Sequence, residues 1–183
     1  MKLAIKQLAC GGALALLACG FIASNAAAES SPTALDNSPV SVTWTDPQKF
    51  SDTKSDPSHR PIRTDWIEIL ASHLKSRAAR RLQSGQHLTV TFTDIQRAGR
   101  IEPWRGPNMD SVRIVKDIYP PSIDLSFSLT DADGKVLDSG DRKLRDVGFL
   151  SRATPFRDAQ LQYEKRLLDD WLNKEFPRSK HAT

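Results

Sequence analysis

The stretch His87-Leu88-Thr89-Val90-Thr91-Phe92-Thr93-Asp94-Ile95, continuing into Gln96-Arg97-Ala98-Gly99-Arg100, decides how the rest of the chain is read. Leu88, Val90 and Phe92 alternate with Thr89, Thr91 and Thr93. A period of two sends one row of side chains into a core and the other to the opposite face, so the stretch is expected to be a strand. Asp94 has the parity of the three apolar residues. Its carboxylate should therefore sit where the sheet meets the next loop, and it needs a partner there.

Toward the N-terminus, Ile67, Leu70, Leu74, Ala78 and Leu82 recur at spacings of three and four, the stripe of a helix lying on a sheet. Pro61 and Asp65 announce it, with Asp65 as cap, Glu68 three residues on as in a capping box, and Gly85 after its end. Arg77, Arg80 and Arg81 suit the negative end of its dipole and read as a solvated helix end, with an anion site as the other use. Earlier still, Lys49 to Arg60 is polar and reads as a surface loop. Val40, Val42 and Trp44 alternate with Ser41 and Thr43 in a first strand that Asp46-Pro47 stops. Strand, helix and strand in this order allow the two strands to be parallel neighbours.

Toward the C-terminus, Gly99, Pro103, Gly106 and Pro107 interrupt the pattern between Arg97 and Asp110. Val112, Ile114 and Val115 resume a strand that Pro120-Pro121 ends. Ile123, Leu125, Phe127 and Leu129 alternate with Asp124, Ser126, Ser128 and Thr130 before Asp131-Ala132-Asp133-Gly134 turns the chain. A tight turn at Asp133-Gly134 would set Leu129 opposite Asp138. A type I turn at Ala132-Asp133 with Gly134 left-handed sets it near Val136, and this bulged turn is the expected one. Gly140 reads as a bulge in the return strand, whose last clear apolar residue is Leu144. Thr154-Pro155 starts a last helix whose apolar face is Tyr163, Leu167, Leu168, Trp171, Leu172 and Phe176, closed by Pro177. The pattern predicts a single α+β domain over 40–177, a mostly antiparallel sheet of four or five strands with two main helices on one face. Residues 29–39 have the composition of a flexible linker, and 178–183 form a polar tail.

The first residues belong to targeting rather than to the fold. Lys2 and Lys6 precede an apolar run from Leu8 to Ile22, and Ala26-Ala27-Ala28 offers the small residues that signal peptidase cuts. Residues 1–28 are read as a signal peptide, so the protein is expected in the periplasm or secreted. Leu16-Leu17-Ala18-Cys19-Gly20 offers a competing lipoprotein site at which Cys19 would be acylated, although Leu17 departs from the small or β-branched residue usual there. Cys10 and Cys19 are the chain's two cysteines, so the mature chain would have no disulfide, no thiol nucleophile and no thiolate for a metal. Loss of Lys2 and Lys6 reduces the formal charge from +4 to +2, with both signs mixed along the chain, which argues against a nucleic-acid partner. No later stretch is apolar enough to span a bilayer.

Most chemical motifs dissolve on inspection. Ser51-Asp52-Thr53-Lys54 and Ser72-His73-Leu74-Lys75 match Ser-x-x-Lys, but the companion Ser-Asp-Asn and Lys-Thr-Gly motifs are missing. His59, His73, His87 and His181 form no His-Glu-x-x-His pair. Asp131-x-Asp133-Gly134 lacks the glycine position and closing glutamate of a calcium loop, leaving a hairpin turn. Neither metal nor cofactor is called for.

One constellation stands out. Arg97, Arg100, Arg105 and Arg113 lie near Trp104 in a glycine- and proline-punctuated loop beside Asp94. Arginine forks with an aromatic face suit planar, anionic or sugar ligands. The alternative is an ordinary loop in which Arg97 or Arg100 pairs with Asp94 while Trp104 plugs the sheet edge.

Several motifs carry a family likeness in combination. They are Val40 to Trp44 with Asp46-Pro47 and Phe50-Ser51-Asp52, Leu88 to Ile95 with Arg97-Ala98-Gly99, and Arg113-Ile114-Val115 with Tyr119-Pro120-Pro121. Asp133-Gly134-Lys135-Val136, and Tyr163-Glu164-Lys165 with Asp170-Trp171, complete the set. Together they resemble a family of exported Gram-negative proteins known as domain of unknown function 3016, over about residues 40 to 177. The resemblance implies a small envelope or secreted domain and supplies no catalytic residue. The expected function is a non-enzymatic periplasmic accessory or binding module that meets an envelope protein or polymer through the Arg97–Arg113 loop. The alternative is a small hydrolase of cell-envelope polymer using carboxylate catalysis.

Overall fold

The computed structural model describes residues 38–56, 63–152 and 160–177, all within one unit, Asp36–Thr183. The leader, Cys19, the linker before Ser38, His59, Thr154-Pro155 and the polar tail lie outside the described residues. In chain order the elements are β1 (Val40–Trp44), α1 (Ser51–Lys54), α2 (Asp65–Ala79), β2 (His87–Gln96), β3 (Arg100–Ile101), β4 (Arg113–Ile114), β5 (Ser122–Thr130), β6 (Val136–Arg145) and α3 (Gln162–Glu175). The main sheet has the order β1-β2-β5-β6, and β3 with β4 forms a separate two-stranded ribbon. This is a single α+β domain with two main helices, as the pattern predicted.

The strand at Leu88–Phe92 lies at the centre of the sheet. It runs parallel to β1, with Val40 opposite Leu88 and Trp44 opposite Phe92, and antiparallel to β5. Leu88, Val90 and Phe92 are buried on the helix-covered face, as are Val40 and Val42 of β1 and Ile123, Leu125, Phe127 and Leu129 of β5. The threonine row faces the other way, where Thr43 and Thr91 share a hydroxyl–hydroxyl hydrogen bond of 3.0 Å. Beyond Phe92 the register slips: Phe92 pairs with Leu125 but Asp94 with Asp124, which leaves Thr93 as the extra residue of a bulge. The slip reverses the parity, so Asp94 leaves the apolar row and Ile95 becomes fully buried.

Helix α2 buries Ile67, Leu70, Leu74 and Ala78, and also Trp66 and Ala71. Removing one of the fully buried leucines, Leu70 or Leu74, is expected to cost about 2–5 kcal/mol. The predicted capping box does not form. Thr64 takes the cap position without a side-chain bond, and Asp65 is the first helical residue, held by Arg63 at 2.6 Å. Its charge still favours the positive end of the dipole. At the other end, two of the three arginines tie α2 to α3 rather than being solvated. Arg77 donates Nε and Nη2 to the Asp169 carboxylate at 3.0 and 2.9 Å, and Arg81 donates to the Phe176 carbonyl and the Asn173 side chain. His73 Nε2 lies 3.1 Å from the same Asp169 carboxylate. Burial works against that charge, but the bonds from His73 and Arg77 outweigh it and hold its pKa below the ordinary value.

The hairpin has the expected turn and an unexpected register. Gly134 is left-handed at φ +79, and its amide donates to the Asp131 carbonyl at 3.1 Å. Thr130 pairs with Val136, yet Leu129 pairs with Asp138, because Leu137 is an extra residue. The bulge is there and not at Gly140, which pairs normally with Phe127. A Cβ on Gly140 would come within 2.7 Å of Arg142 Nη1, whose guanidinium lies 4.9 Å over the Phe127 ring. Helix α3 presents Leu167, Leu168, Trp171 and Leu172 to the core, and Trp171, Phe127 and Phe176 pack edge to face.

Candidate functional site

Between β2 and β5 the chain leaves the sheet for more than twenty residues, and the loop singled out in the sequence lies here. Gly99 makes the first turn at φ +80, and a Cβ on it would lie 2.6 Å from the Ile114 carbonyl oxygen, so only glycine fits between the arms. β3 and β4 then pair, Arg100 with Ile114 and Ile101 with Arg113. Of the strand expected from Val112, Ile114 and Val115, only Arg113–Ile114 forms, and it pairs with β3 rather than with the main sheet.

One anchor of this loop is Asp52, on α1 and only 3% exposed. Its carboxylate accepts from the Arg97 amide at 3.0 Å, from Arg97 Nε and Nη2 at 2.9 and 2.7 Å, and from Arg113 Nη2 at 3.1 Å. The Arg97 guanidinium also lies 4.5 Å over the Trp66 ring, and Arg113 donates to the Gly99 carbonyl at 2.8 Å. Burial pulls the Arg113 pKa below its ordinary value against the opposing attraction of Asp52. The expectation that Arg97 or Arg100 pairs with Asp94 is therefore corrected. Asp94 is occupied by Ser51, which donates its amide at 2.6 Å and its hydroxyl at 2.5 Å. The surface loop expected from Lys49 is corrected as far as residue 56: Ser51–Lys54 is helical, and Phe50 and Asp52 are both buried.

A second buried carboxylate, Glu164 on the first turn of α3, accepts from the Ala98 amide at 2.6 Å. It is 2% exposed, and burial raises its pKa despite that amide and the nearby Arg97 charge. A third, Glu102, is 1% exposed. It accepts from Lys116 Nζ at 2.6 and 2.8 Å, from the Tyr119 hydroxyl at 2.8 Å and from Arg105 Nε. The Lys116 bond leads in lowering its pKa to about 2, with Tyr119 and Arg105 adding to it and burial opposing.

What faces outward is the remainder. Glu102 takes the inward position, Pro103 opens a short 3-10 turn through Arg105, and Trp104 is left 70% exposed. It does not plug the sheet edge. Arg100 is exposed on β3, and exposed Val112, Val115 and Ile118 follow along the chain. The six residues singled out in the sequence thus divide. Asp94, Arg97 and Arg113 point into the anchoring networks, Arg100 and Trp104 face solvent, and Arg105 spans the two through Glu102. Asp52, Glu102 and Glu164 were missed as partners. Neither Asp52, in a polar run, nor Glu102, between Ile101 and Pro103, carried a local signal of burial.

Among the described residues no group of three His, Cys, Asp or Glu side chains is arranged to hold a metal, and no helix is long and apolar enough to cross a membrane. No curated protein and no solved structure matches the chain. The family model described as "Protein of unknown function (DUF3016)" matches residues 38–174, which takes in both strands of the strand–helix–strand unit, the anchored loop, the hairpin and nearly all of α3. The chain therefore belongs to the DUF3016 family.

Proposed function

We propose that the protein is a non-enzymatic accessory module of the bacterial envelope, exported and trimmed of its leader, which binds an envelope protein or polymer through the outer side of the Arg97–Arg113 loop. The observation that carries this reading is Trp104, 70% exposed on a loop whose backbone is tied down from within. An exposed tryptophan on a fixed loop loses little entropy on contact, and its ring suits a sugar, a guanidinium or an apolar patch. Arg100 supplies a charged fork on the same loop, and Arg97 and Arg113 serve by holding that loop in shape. The leader, from Lys2 through Ala28, supports export.

A carboxylate hydrolase finds less support. Asp52, Glu102 and Glu164 are 1–3% exposed, and both Asp94 oxygens are bonded to Ser51, so these four carboxylates are not placed to act on a polymer. The test is crosslinking in intact cells with the natural protein and with the Arg100→Ala, Trp104→Ala double variant. Loss of the crosslinked species, with the thermal melt unchanged, is the expected result. Identical crosslinking by the two proteins would overturn the proposal. Mass spectrometry of the exported product checks processing: a new N-terminus at Glu29 is expected, and an acylated Cys19 would move the protein to a lipid anchor.

A further inference from the structure

Three successive amides at the root of the Arg97–Arg113 loop donate to three different parts of the molecule. The Arg97 amide donates to the Asp52 carboxylate on α1, and the Ala98 amide to the Glu164 carboxylate on α3. The Gly99 amide donates to the Tyr119 carbonyl, where the chain returns toward the sheet, at 3.0 Å. The first acceptor is matched by two arginines and the third is uncharged, but the second has no ionic partner of its own. The charged groups that face Glu164 are Asp52 from α1, Arg97 from the end of β2 and Arg113 from β4, with Asp56 acting on Arg113 in turn. Both guanidinium groups are committed elsewhere: Arg97 gives Nε and Nη2 to Asp52, while Arg113 gives Nη2 to Asp52 and Nη1 to the Gly99 carbonyl. Among the described residues neither donates to Glu164, and Asp52 adds a like charge. Glu164 is 2% exposed and Ala98 5%, so the bond between them is shut off from water. A carboxyl buried with one neutral donor favours its uncharged form.

We infer that Glu164 is a protonation-controlled latch between α3 and the root of the loop, closed while its carboxyl is neutral and loosened as the carboxyl ionises. Linkage sets the sign. Local opening lets the carboxyl reach water, where it ionises at its ordinary value of 4.5; closed, burial lifts its pKa against the Ala98 bond and Arg97. The latch is therefore indifferent to pH below 4.5. Above that value opening becomes up to about tenfold easier per pH unit, until the closed form ionises too. Opening leaves the root held by Asp52 and Tyr119 but free of α3, so the loop that carries Arg100 and Trp104 loses one of its three ties. Tighter partner capture at acid pH would follow, a consequence that rests on reading this loop as the contact surface; the latch itself does not.

The test is amide exchange on the exported protein, read residue by residue at a series of pH values and corrected for the intrinsic rate. Protection of the Ala98 amide should fall by up to about tenfold per pH unit above the ordinary glutamate value, while the paired amides of β2 and β5 keep theirs. Glu164→Gln keeps an acceptor and cannot ionise, so its Ala98 protection should be the same at every pH. The Glu164 carboxyl signal in the unaltered protein gives a second measurement that needs no variant: its titration midpoint should lie above 4.5, at the upper end of the window in which protection falls. Ala98 protection that ignores pH in the natural protein, the same pH dependence in Glu164→Gln, or a Glu164 midpoint at or below 4.5 would overturn the inference. Crosslinking in intact cells judges the consequence separately. Loss of the crosslinked species at higher pH in the natural protein but not in Glu164→Gln is expected; the expected exchange pattern with no crosslinked species at any pH would uphold the latch and remove the loop as a binding surface.

Discussion

The Glu164 carboxylate accepts a 2.6 Å hydrogen bond from the Ala98 amide, which joins the first turn of α3 to the point where the chain leaves β2. Burial raises the Glu164 pKa above its unfolded value. A carboxyl shifted this way contributes stability that is fully present below the unfolded pKa and is lost as pH rises through the folded one. Glu164→Gln keeps an acceptor for Ala98 and removes the titration. Its stability relative to the natural protein should therefore improve from acid toward neutral pH. Urea unfolding of both at several pH values measures this, and a trend of opposite sign would mean that Arg97 and Arg113, not burial, govern the group.

Asp52, itself buried, is the partner of two half-buried arginines, Arg97 and Arg113. Asp52→Ala should cost about 1–3 kcal/mol, because the donors of Arg97 and Arg113 lose their shared acceptor while their guanidinium groups keep some access to water. Equilibrium denaturation gives the number, and a loss near zero would show that the two guanidinium groups find water or another acceptor.

Glu102 titrates in the opposite sense to Glu164. Its folded pKa lies near 2, below the ordinary 4.5, so its contribution is present above 4.5 and disappears as pH falls toward 2. Glu102→Gln should be less stable than the natural protein at neutral pH, and the two melting curves should converge on acidification through that window. Fluorescence of Trp104, on the neighbouring turn, is a convenient local probe.

Gly99 combines a left-handed backbone with an approach of 2.6 Å to the Ile114 carbonyl oxygen for any added Cβ. Gly99→Ala should lose about 1–2 kcal/mol from the backbone conformation alone. The steric push adds to this and should loosen the β3–β4 pairing first. Faster amide exchange at Arg100 and Ile114, with β5 and β6 unaffected, is the expected pattern, and a uniform change over the sheet would refute a local role.

Much of the fold was legible in local pattern. Alternation marked β1, β2 and β5, the three- and four-residue spacing marked α2 and the later part of α3, and the left-handed glycine at 134 followed from the turn chemistry. These depend on neighbours a few residues apart, and periodicity records such neighbours directly. The register beyond Phe92 and beyond Leu129 was not legible, because one extra residue, Thr93 or Leu137, reverses parity without altering composition. The outward-facing candidates, Arg100 and Trp104, could be picked from residue type.

What the sequence by itself determined, then, was the set of apolar rows, the strand and helix order, and the arginine-rich loop with its tryptophan. Only the tertiary structure decided what each charge does. A buried carboxylate must take its partners from whatever the packing brings near, and two of the three here find them far along the chain: Asp52 with Arg97 and Arg113, and Glu164 with Ala98. Solvent keeps the residues for which packing supplies no partner, and that division separates the loop's inner anchors from its outer face.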